Sequence, residues 1–488
     1  LYLVISGRRR VSRSRHQPDF DRLGECLPAK IHAANSGVYG PWWHLHDGGC
    51  RPYKSRLDVR TPRTTPLNGD KPLSSLIFLG IDLGTSGVRG SAIALEGNEL
   101  ASIQIPLPQI QLASDWRHAA FNVIGQLCDQ VETDAIQTIA IDGTSGSVML
   151  CDGSGEPCSP VLMYDDQSCT HEAETVGHFA PENSPARGAS ASLAKVLSLL
   201  QTRPDAAHIC HQADWIAGLL CDRFDFSDEN NCLKLGYDPI TREWPQWLHE
   251  LNIDAELLPQ VYPPGTGITT VNRGIADQLG LPPHCQVVAG TTDSIAAFIA
   301  TGANEIGEAV TSLGSTLVLK LISDKPVFSS ELGVYSHRLG DTWLAGGASN
   351  SGGKVLLKYF DLERIHEMTP QLETGSPTGL DYYPLAAAGE RFPLNDPELQ
   401  PKLDPRPDDE LVFFQGMLEG IATIEARGYD VLHQLGAPAV VKVLTAGGGS
   451  NNPAWRKIRE QKLGVPVEIA EHSEASYGTA LLARRPFE

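Results

Sequence analysis

The stretch LGIDLGTSGVRGSAIAL, Leu79 to Leu95, decides the fold. An apolar run ending in a lone aspartate, Asp82, meets a Gly/Thr/Ser turn and then a second apolar run, the pattern of two strands joined tightly. The pattern returns at AIDGTSGSVML (Ala140 to Leu150) and at TSLGSTLVLKL (Thr311 to Leu321). Three ordinary hairpins satisfy this spacing, and an aspartate ahead of a turn commonly bonds its own backbone. Such a turn also aims several backbone N–H groups and hydroxyls at one point, which makes an anion-binding concavity without a lysine. Two of these turns facing across a cleft would hold a polyphosphate, with Asp82 beside Thr85 and Ser86 where Mg2+ and its waters are needed.

Working outward, the 488 residues are 41% hydrophobic and 20% charged, enough to bury two domain cores. A net charge of -20 argues against a nucleic-acid partner, which needs a basic face. No run of eighteen or more apolar residues occurs, so no membrane span is expected. The ten cysteines include no CxxC pair and read as reduced thiols of an intracellular chain. HICH, His208 to His211, reads as helix, where both histidines would share one face either as metal ligands or as ordinary surface groups.

Residues 1–75 are a different kind of sequence, with 13 Lys/Arg against 6 Asp/Glu and no sustained apolar period. They are expected to be a disordered basic leader. Its Arg-rich, acid-poor composition resembles an organelle transit segment and suggests a chloroplast, with the cytoplasm as the other location. The competing reading is an artefactual extension, because the chain starts at Leu1 and its first methionine is Met149.

After residue 75 a plan of strand, turn, strand and helices appears twice. SLIFLGIDLGTSGVRGSAIAL opens one half and EIGEAVTSLGSTLVLKLI the other. Helical periodicity marks Ser190 to Thr202, Ala213 to Phe224 and, behind an Asp cap, Asp408 to Leu435. The expected fold is α/β, two similar lobes of mixed sheets flanked by helices with a ligand cleft between them, over residues 76–303 and 304–488. Two further motifs belong to that cleft. In AGTTDSIAAFIA (Ala289 to Ala300), Asp293 opens an apolar helix, either as a cap or as an acceptor for the proton of an attacking alcohol. In TAGGGSNNPAWRKIREQKLGVPV (Thr445 to Val467), consecutive glycines after a strand admit a flat ligand such as adenine, or form a flexible loop.

The ordered set GIDLGTSG, AGTTDS, SLGST and AGGGSNN resembles the FGGY carbohydrate kinases of the actin/hexokinase/Hsp70 ATPase superfamily, from about Leu76 to the C-terminus. The resemblance implies actin-like, ribonuclease H-like lobes, each a five-stranded mixed sheet, with ATP and Mg2+ in the cleft and the sugar deeper in the first lobe. It implies Asp82 as the metal and sugar contact, Thr85 and Ser86 at the phosphates, and Asp293 as general base at the sugar. Gly314, Ser315 and Thr316 would form the second phosphate turn, and Gly447, Gly448, Asn452 and Trp455 the adenosine pocket. EASYGTALLA (Glu474 to Ala483) matches the closing helix of the family.

The sugar wall departs from the family's xylulokinases. DGTSGSV (Asp142 to Val148) stands where they carry Met-His-Gly-Gln, leaving Thr144 and Ser145 as sugar contacts. LMYDDQSC (Leu162 to Cys169) keeps Asp166 but has Ser168 where arginine is common. IDLGTSGVR, IDGTSGSV and GTTDS together look most similar to the plant and cyanobacterial branch that phosphorylates D-ribulose, with xylulose or a pentitol as the alternative. The expected partners are therefore a small sugar and ATP. A reading from another class is a non-catalytic ATP-binding sugar sensor or an actin/Hsp70-like ATPase, distinguished by ATP turnover that ignores added sugar.

Overall fold

The computed structural model describes residues 76–108 and 112–488, so the expectations for the leader lie outside it. The first lobe is built on a six-stranded sheet of β1 (Ile77–Leu83), β2 (Gly87–Ala94), β3 (Glu99–Pro106), β4 (Ile136–Gly143), β9 (Gly267–Thr270) and β10 (Gln286–Thr292). Two small sheets pair β5 (Val148–Cys151) with β6 (His208–His211) and β7 (Phe226–Asp228) with β8 (Gln260–Tyr262). The helices of this part are α1 (Ala113–Cys128), α2 (Thr170–Phe179), α3 (Ser192–Thr202), α4 (Gln212–Cys221), α5 (Arg273–Leu279) and α6 (Asp293–Ala300).

The second six-stranded sheet holds β11 (Glu308–Leu313), β12 (Leu317–Ser323), β13 (Tyr335–Leu339), β14 (Thr342–Ser349), β15 (Lys442–Ala446) and β16 (Val467–Ile469). Around it run α7 (Gly353–Leu356), α8 (Leu362–Met368), α9 (Glu410–Gln434) and α10 (Pro453–Leu463), and α11 (Ala475–Arg484) closes the chain. Each sheet has a central strand paired antiparallel to the strand after it and parallel to a later one: β1 with β2 and β4, β11 with β12 and β15. The repeated device in the sequence is thus a repeated topology. Each sheet has six strands rather than the five implied by resemblance, with β9 and β13 among the edges.

The period of two along β1 explains how the first sheet is covered on both faces. Ile77, Leu79, Ile81 and Leu83 point into a core with Trp116, Val123 and Leu127 of α1 and Ile216 of α4, while Phe78 points into a second core with Tyr477 and Ala480 of α11. Gly80 lies on the α11 side, where a Cβ would stand 2.1 Å from the Ala480 amide nitrogen. The last helix therefore crosses back onto the first lobe.

In the second sheet Leu317, Leu319 and Leu321 face Phe414, Met417 and Ile421 of α9. The opposite face, with Val310, Ile322 and Leu344, packs on Ile295 and Phe298 of α6. Helix α6 is consequently the apolar seam between the lobes. HICH is strand β6 rather than helix, because the helical period begins only at Gln212. His211 is buried with Nδ1 2.9 Å from Asp214 and Nε2 3.3 Å from Ser192. His208 lies beside Phe224, so the shared histidine face does not form.

Candidate active site

Three adjacent parallel strands, β1, β4 and β10, end at one edge of the first sheet, and each brings a carboxylate there. Asp82 and Asp142 are register partners on β1 and β4, Asp142 faces Thr291 of β10, and Asp293 follows two residues later as the first residue of α6. Ligands collect at such strand ends because the backbone turns away and leaves a crevice. Both Asp82 and Asp142 lie on the face covered by α11, whose Thr479 hydroxyl donates to Asp142 Oδ2.

Burial dominates the electrostatics of the pair. It pushes Asp82 up to about 6, opposed by a hydrogen bond from Asp142 and by Arg89, whose Nη1 lies 3.4 Å from Asp82 Oδ2. Asp142 rises well above the usual carboxylate range, first from burial and then from the neighbouring Asp82 charge. Two buried carboxylates on neighbouring strands oppose each other's ionisation, which favours the protonated form of Asp142. Asp82 Oδ1 is a buried acceptor with no protein donor, which fits a cation arriving with a ligand. Among the described residues no group of three or more His, Cys, Asp or Glu forms a metal cluster, so other ligands of such a cation would come from phosphate and water.

Asp293 is raised by burial and lowered by the Ser294 N–H, 2.6 Å from Oδ1, and then by Lys320 and Lys234. Its position is fixed from behind by Asp228 to Asn231. The Asp228 carboxylate accepts the Asn230 and Asn231 amides at 2.8 and 3.0 Å, and Asn230 Nδ2 reaches Thr291 Oγ1 at 3.0 Å. A carboxylate near the cleft with a raised pKa is suited to take a proton from an alcohol.

The second sheet presents its own strand ends. The β11–β12 turn, Gly314 to Thr316, matches in topology the β1–β2 turn, Gly84 to Ser86, and Thr85, Ser86 and Ser315 are exposed. Beside it, β15 ends at Ala446 opposite Ser312. Gly447 has φ 83°, and a Cβ there would stand 2.8 Å from the Leu313 carbonyl oxygen, so glycine is required for the close approach of the two turns. Gly447 and Gly448 are exposed, and a Cβ at Gly448 would meet nothing within 4 Å.

Other expected residues are placed differently. Trp455 is buried in the α9 core, under Gly449. Asn452 caps α10 by accepting the Trp455 amide at 2.9 Å and donates to Thr369 Oγ1 at 3.0 Å. The Thr144 hydroxyl is taken up by Gln212 Oε1 at 2.7 Å and Ser147 Oγ at 2.6 Å, while the neighbouring Ser145 is half-buried. Asp166 closes a local turn, accepting the Ser168 amide at 2.8 Å and its hydroxyl at 2.6 Å.

The sequence reading missed Asp142, Lys234, Lys320 and the Asp228 to Asn231 brace. Asp142 was visible as the counterpart of Asp82 in the repeated strand-Asp-Gly pattern. The lysines carry no local signal, since only the tertiary fold brings them to Asp293. A cavity of about 460 Å³ lined by Arg117, Phe121, Glu156 and Trp215 contains none of these carboxylates.

Comparison with known proteins agrees with this geometry. Residues 77–300 match the N-terminal domain of the FGGY family of carbohydrate kinases, and residues 309–485 match its C-terminal domain. The xylulose kinase of Escherichia coli (strain K12) is 24% identical over 440 residues, covering 84% of this chain and 89% of the relative. An autoinducer-2 kinase of Yersinia pestis bv. Antiqua (strain Angola) is 23% identical over 479 residues, covering 88% and 87%. Among solved structures, the xylulose kinase of Rhodospirillum rubrum superposes with a TM-score of 0.74 at 20% identity, over 84% of this chain and 90% of that one. With both halves of the cleft matched in order, this chain belongs to the FGGY family of carbohydrate kinases.

Proposed function

We propose that this sugar kinase transfers the γ-phosphoryl group of MgATP to the C5 hydroxyl of a ketopentose, with D-ribulose as substrate and D-ribulose 5-phosphate as product. The observation that carries the reading is the placing of Asp293 beside Asp82 and Asp142 at one sheet edge, with a Gly/Ser/Thr turn in each lobe. Asp293 takes the hydroxyl proton as the oxygen attacks, the Gly84 to Ser86 and Gly314 to Thr316 turns hold the phosphates, and Gly447 and Gly448 leave room for adenosine. Asp82 Oδ1 would help hold Mg2+ beside the phosphates, where the ion would supply neutralisation of phosphate charge. Ser145 faces the sugar. Asp166, tied to Ser168 here, belongs to the neighbouring wall.

Ribulose is favoured over xylulose by DGTSGSV in place of Met-His-Gly-Gln and by the absence of arginine at Ser168. The second reading, a xylulokinase, is supported by relatives such as the Staphylococcus epidermidis xylulose kinase, 23% identical over 437 residues. A coupled ADP-release assay across D-ribulose, D-xylulose, ribitol, xylitol and glycerol separates them. D-Ribulose is expected to give the highest kcat/KM. A higher value for D-xylulose would replace the first reading by the second, and ADP release indifferent to every sugar would remove both.

A further inference from the structure

Phosphoryl transfer concentrates charge on the equatorial oxygens of the moving group, and the two phosphate turns contain no lysine or arginine to meet it. Arg89 is engaged with Asp82 and, through Nε at 3.5 Å, with Glu474. Two other cations approach from opposite lobes. Lys234 donates to the Ser145 carbonyl at 3.2 Å, on the sugar wall. Lys320 lies on β12, four residues beyond Thr316, and donates to the Ser294 carbonyl in the first turn of α6. Both ammonium groups act on the Asp293 carboxylate and on His337 of β13, whose own pKa burial holds well below the usual histidine range. The lysines therefore converge on the region around the base, each anchored to a backbone carbonyl with N–H donors to spare.

We propose that Lys234 and Lys320 form a two-lobed clamp whose ammonium groups contact the transferring phosphoryl group. The inference rests on the proposed ATP-dependent transfer at Asp293 but not on the identity of the sugar. As the acceptor O–H proton passes to Asp293, the acceptor oxygen bonds to the γ-phosphorus. The bond from that phosphorus to the β,γ-bridging oxygen breaks, and its electron pair leaves with ADP. An alcohol oxygen within hydrogen-bonding reach of Asp293 brings the phosphorus one bond further on, among the groups that the two lysines already reach. Because Lys234 comes from the sugar lobe and Lys320 from the nucleotide lobe, the clamp is complete only when both lobes hold their ligands.

The test compares Lys234→Met, Lys320→Met, the double variant and the two Lys→Arg variants in the full chain. Steady-state kinetics is paired with calorimetric binding of MgADP, alone and with aluminium fluoride as a mimic of the moving phosphoryl group. Each Met variant is expected to lower kcat by about 30-fold or more, with either KM changed by less than about 3-fold. MgADP alone should bind as to the wild type, which checks folding, while the gain from aluminium fluoride shrinks at least about 10-fold. Lys234→Arg should recover most of the loss. A Met variant of either lysine that keeps kcat within about 3-fold, or that changes only KM, overturns the clamp, as does an aluminium fluoride gain that neither substitution alters. If the wild type turns over none of the sugars yet its aluminium fluoride complex depends on both lysines, the ketopentose reading fails and the clamp stands.

Discussion

At the residue scale, the three carboxylates divide their work by environment. Asp293 must be ionised to accept a proton, and burial raises it despite two lysines and the helix N-terminus. Asp82 is pushed up to about 6. A base with a raised pKa loses its active form at a higher pH, so the acid limb of kcat/KM is expected above the ordinary carboxylate value; an acid limb lying at or below that ordinary value would contradict this. Asp293→Asn should reduce kcat by roughly 10²–10⁴-fold with MgADP affinity retained, measured by coupled assay and calorimetry. Asp142 has the opposite task, to stay protonated. Its folded pKa exceeds its unfolded one, so its effect on stability is lost as pH rises through the folded value. Asparagine keeps an acceptor for Thr479 without the ionisation penalty. Asp142→Asn is therefore expected to raise Tm by about 3 °C at pH 8 and to match the wild type near pH 4 in thermal unfolding.

At the element scale, the sequence was most legible where side-chain period and turn chemistry agree. Strands β1 and β2 with their turn, the matching β11–β12 unit, and α9 behind its Asp409 cap all follow from patterns a few residues long. Misreadings arose where tertiary partners decide. HICH was assigned a helical period although β5 recruits it as a strand, and the Thr144 hydroxyl was assigned to a ligand although Gln212, 68 residues away, already holds it. Trp455 follows a glycine loop in sequence, but the neighbouring Arg459 pairs with Glu425 at 2.6 Å and draws α10 down onto α9. Helix α11 shows how much rests on one contact that a pattern does not display. At Gly80 a Cβ would meet the Ala480 nitrogen at 2.1 Å and the Ser476 carbonyl oxygen at 2.2 Å, backbone atoms unable to rotate away. Gly80→Ala is expected to cost roughly 3 kcal/mol in urea unfolding and to lower kcat as well, because α11 carries the Thr479 bond to Asp142. An unchanged urea midpoint would show that the helix shifts freely on the sheet.

At the scale of the whole molecule, the two lobes meet in two chemically different ways. Along α6 the junction is apolar, with Ile295 and Phe298 packed against Val310, Ile322 and Leu344, a seam that can act as a hinge without exposing its core. Away from that seam and from α11, which packs on the first lobe, further contacts between the lobes are polar. Arg338, stacked on Trp343 at 3.8 Å, donates from Nε to the Pro239 carbonyl at 2.9 Å. Asn230 Nδ2 reaches the Arg338 carbonyl at 3.3 Å, and Arg242 reaches the Gly340 carbonyl at the same distance. Each such bond contributes only about 1 kcal/mol net, so together they bias a closed arrangement without locking it. A ligand that needs the closed form then binds more weakly in proportion to any loss of that population. Arg338→Ala removes the stacked latch while leaving the carboxylates, both turns and the α6 seam in place. It should raise KM for sugar and for ATP by a similar factor, about 3–10-fold, with kcat nearly unchanged, because saturating ligands restore closure. Small-angle scattering supplies the second measurement: a larger radius of gyration for the unliganded variant, returning to the wild-type value with MgADP and sugar. If KM rises for only one substrate, or the radius is the same in both proteins, Arg338 serves one lobe alone and the polar contacts do not control closure.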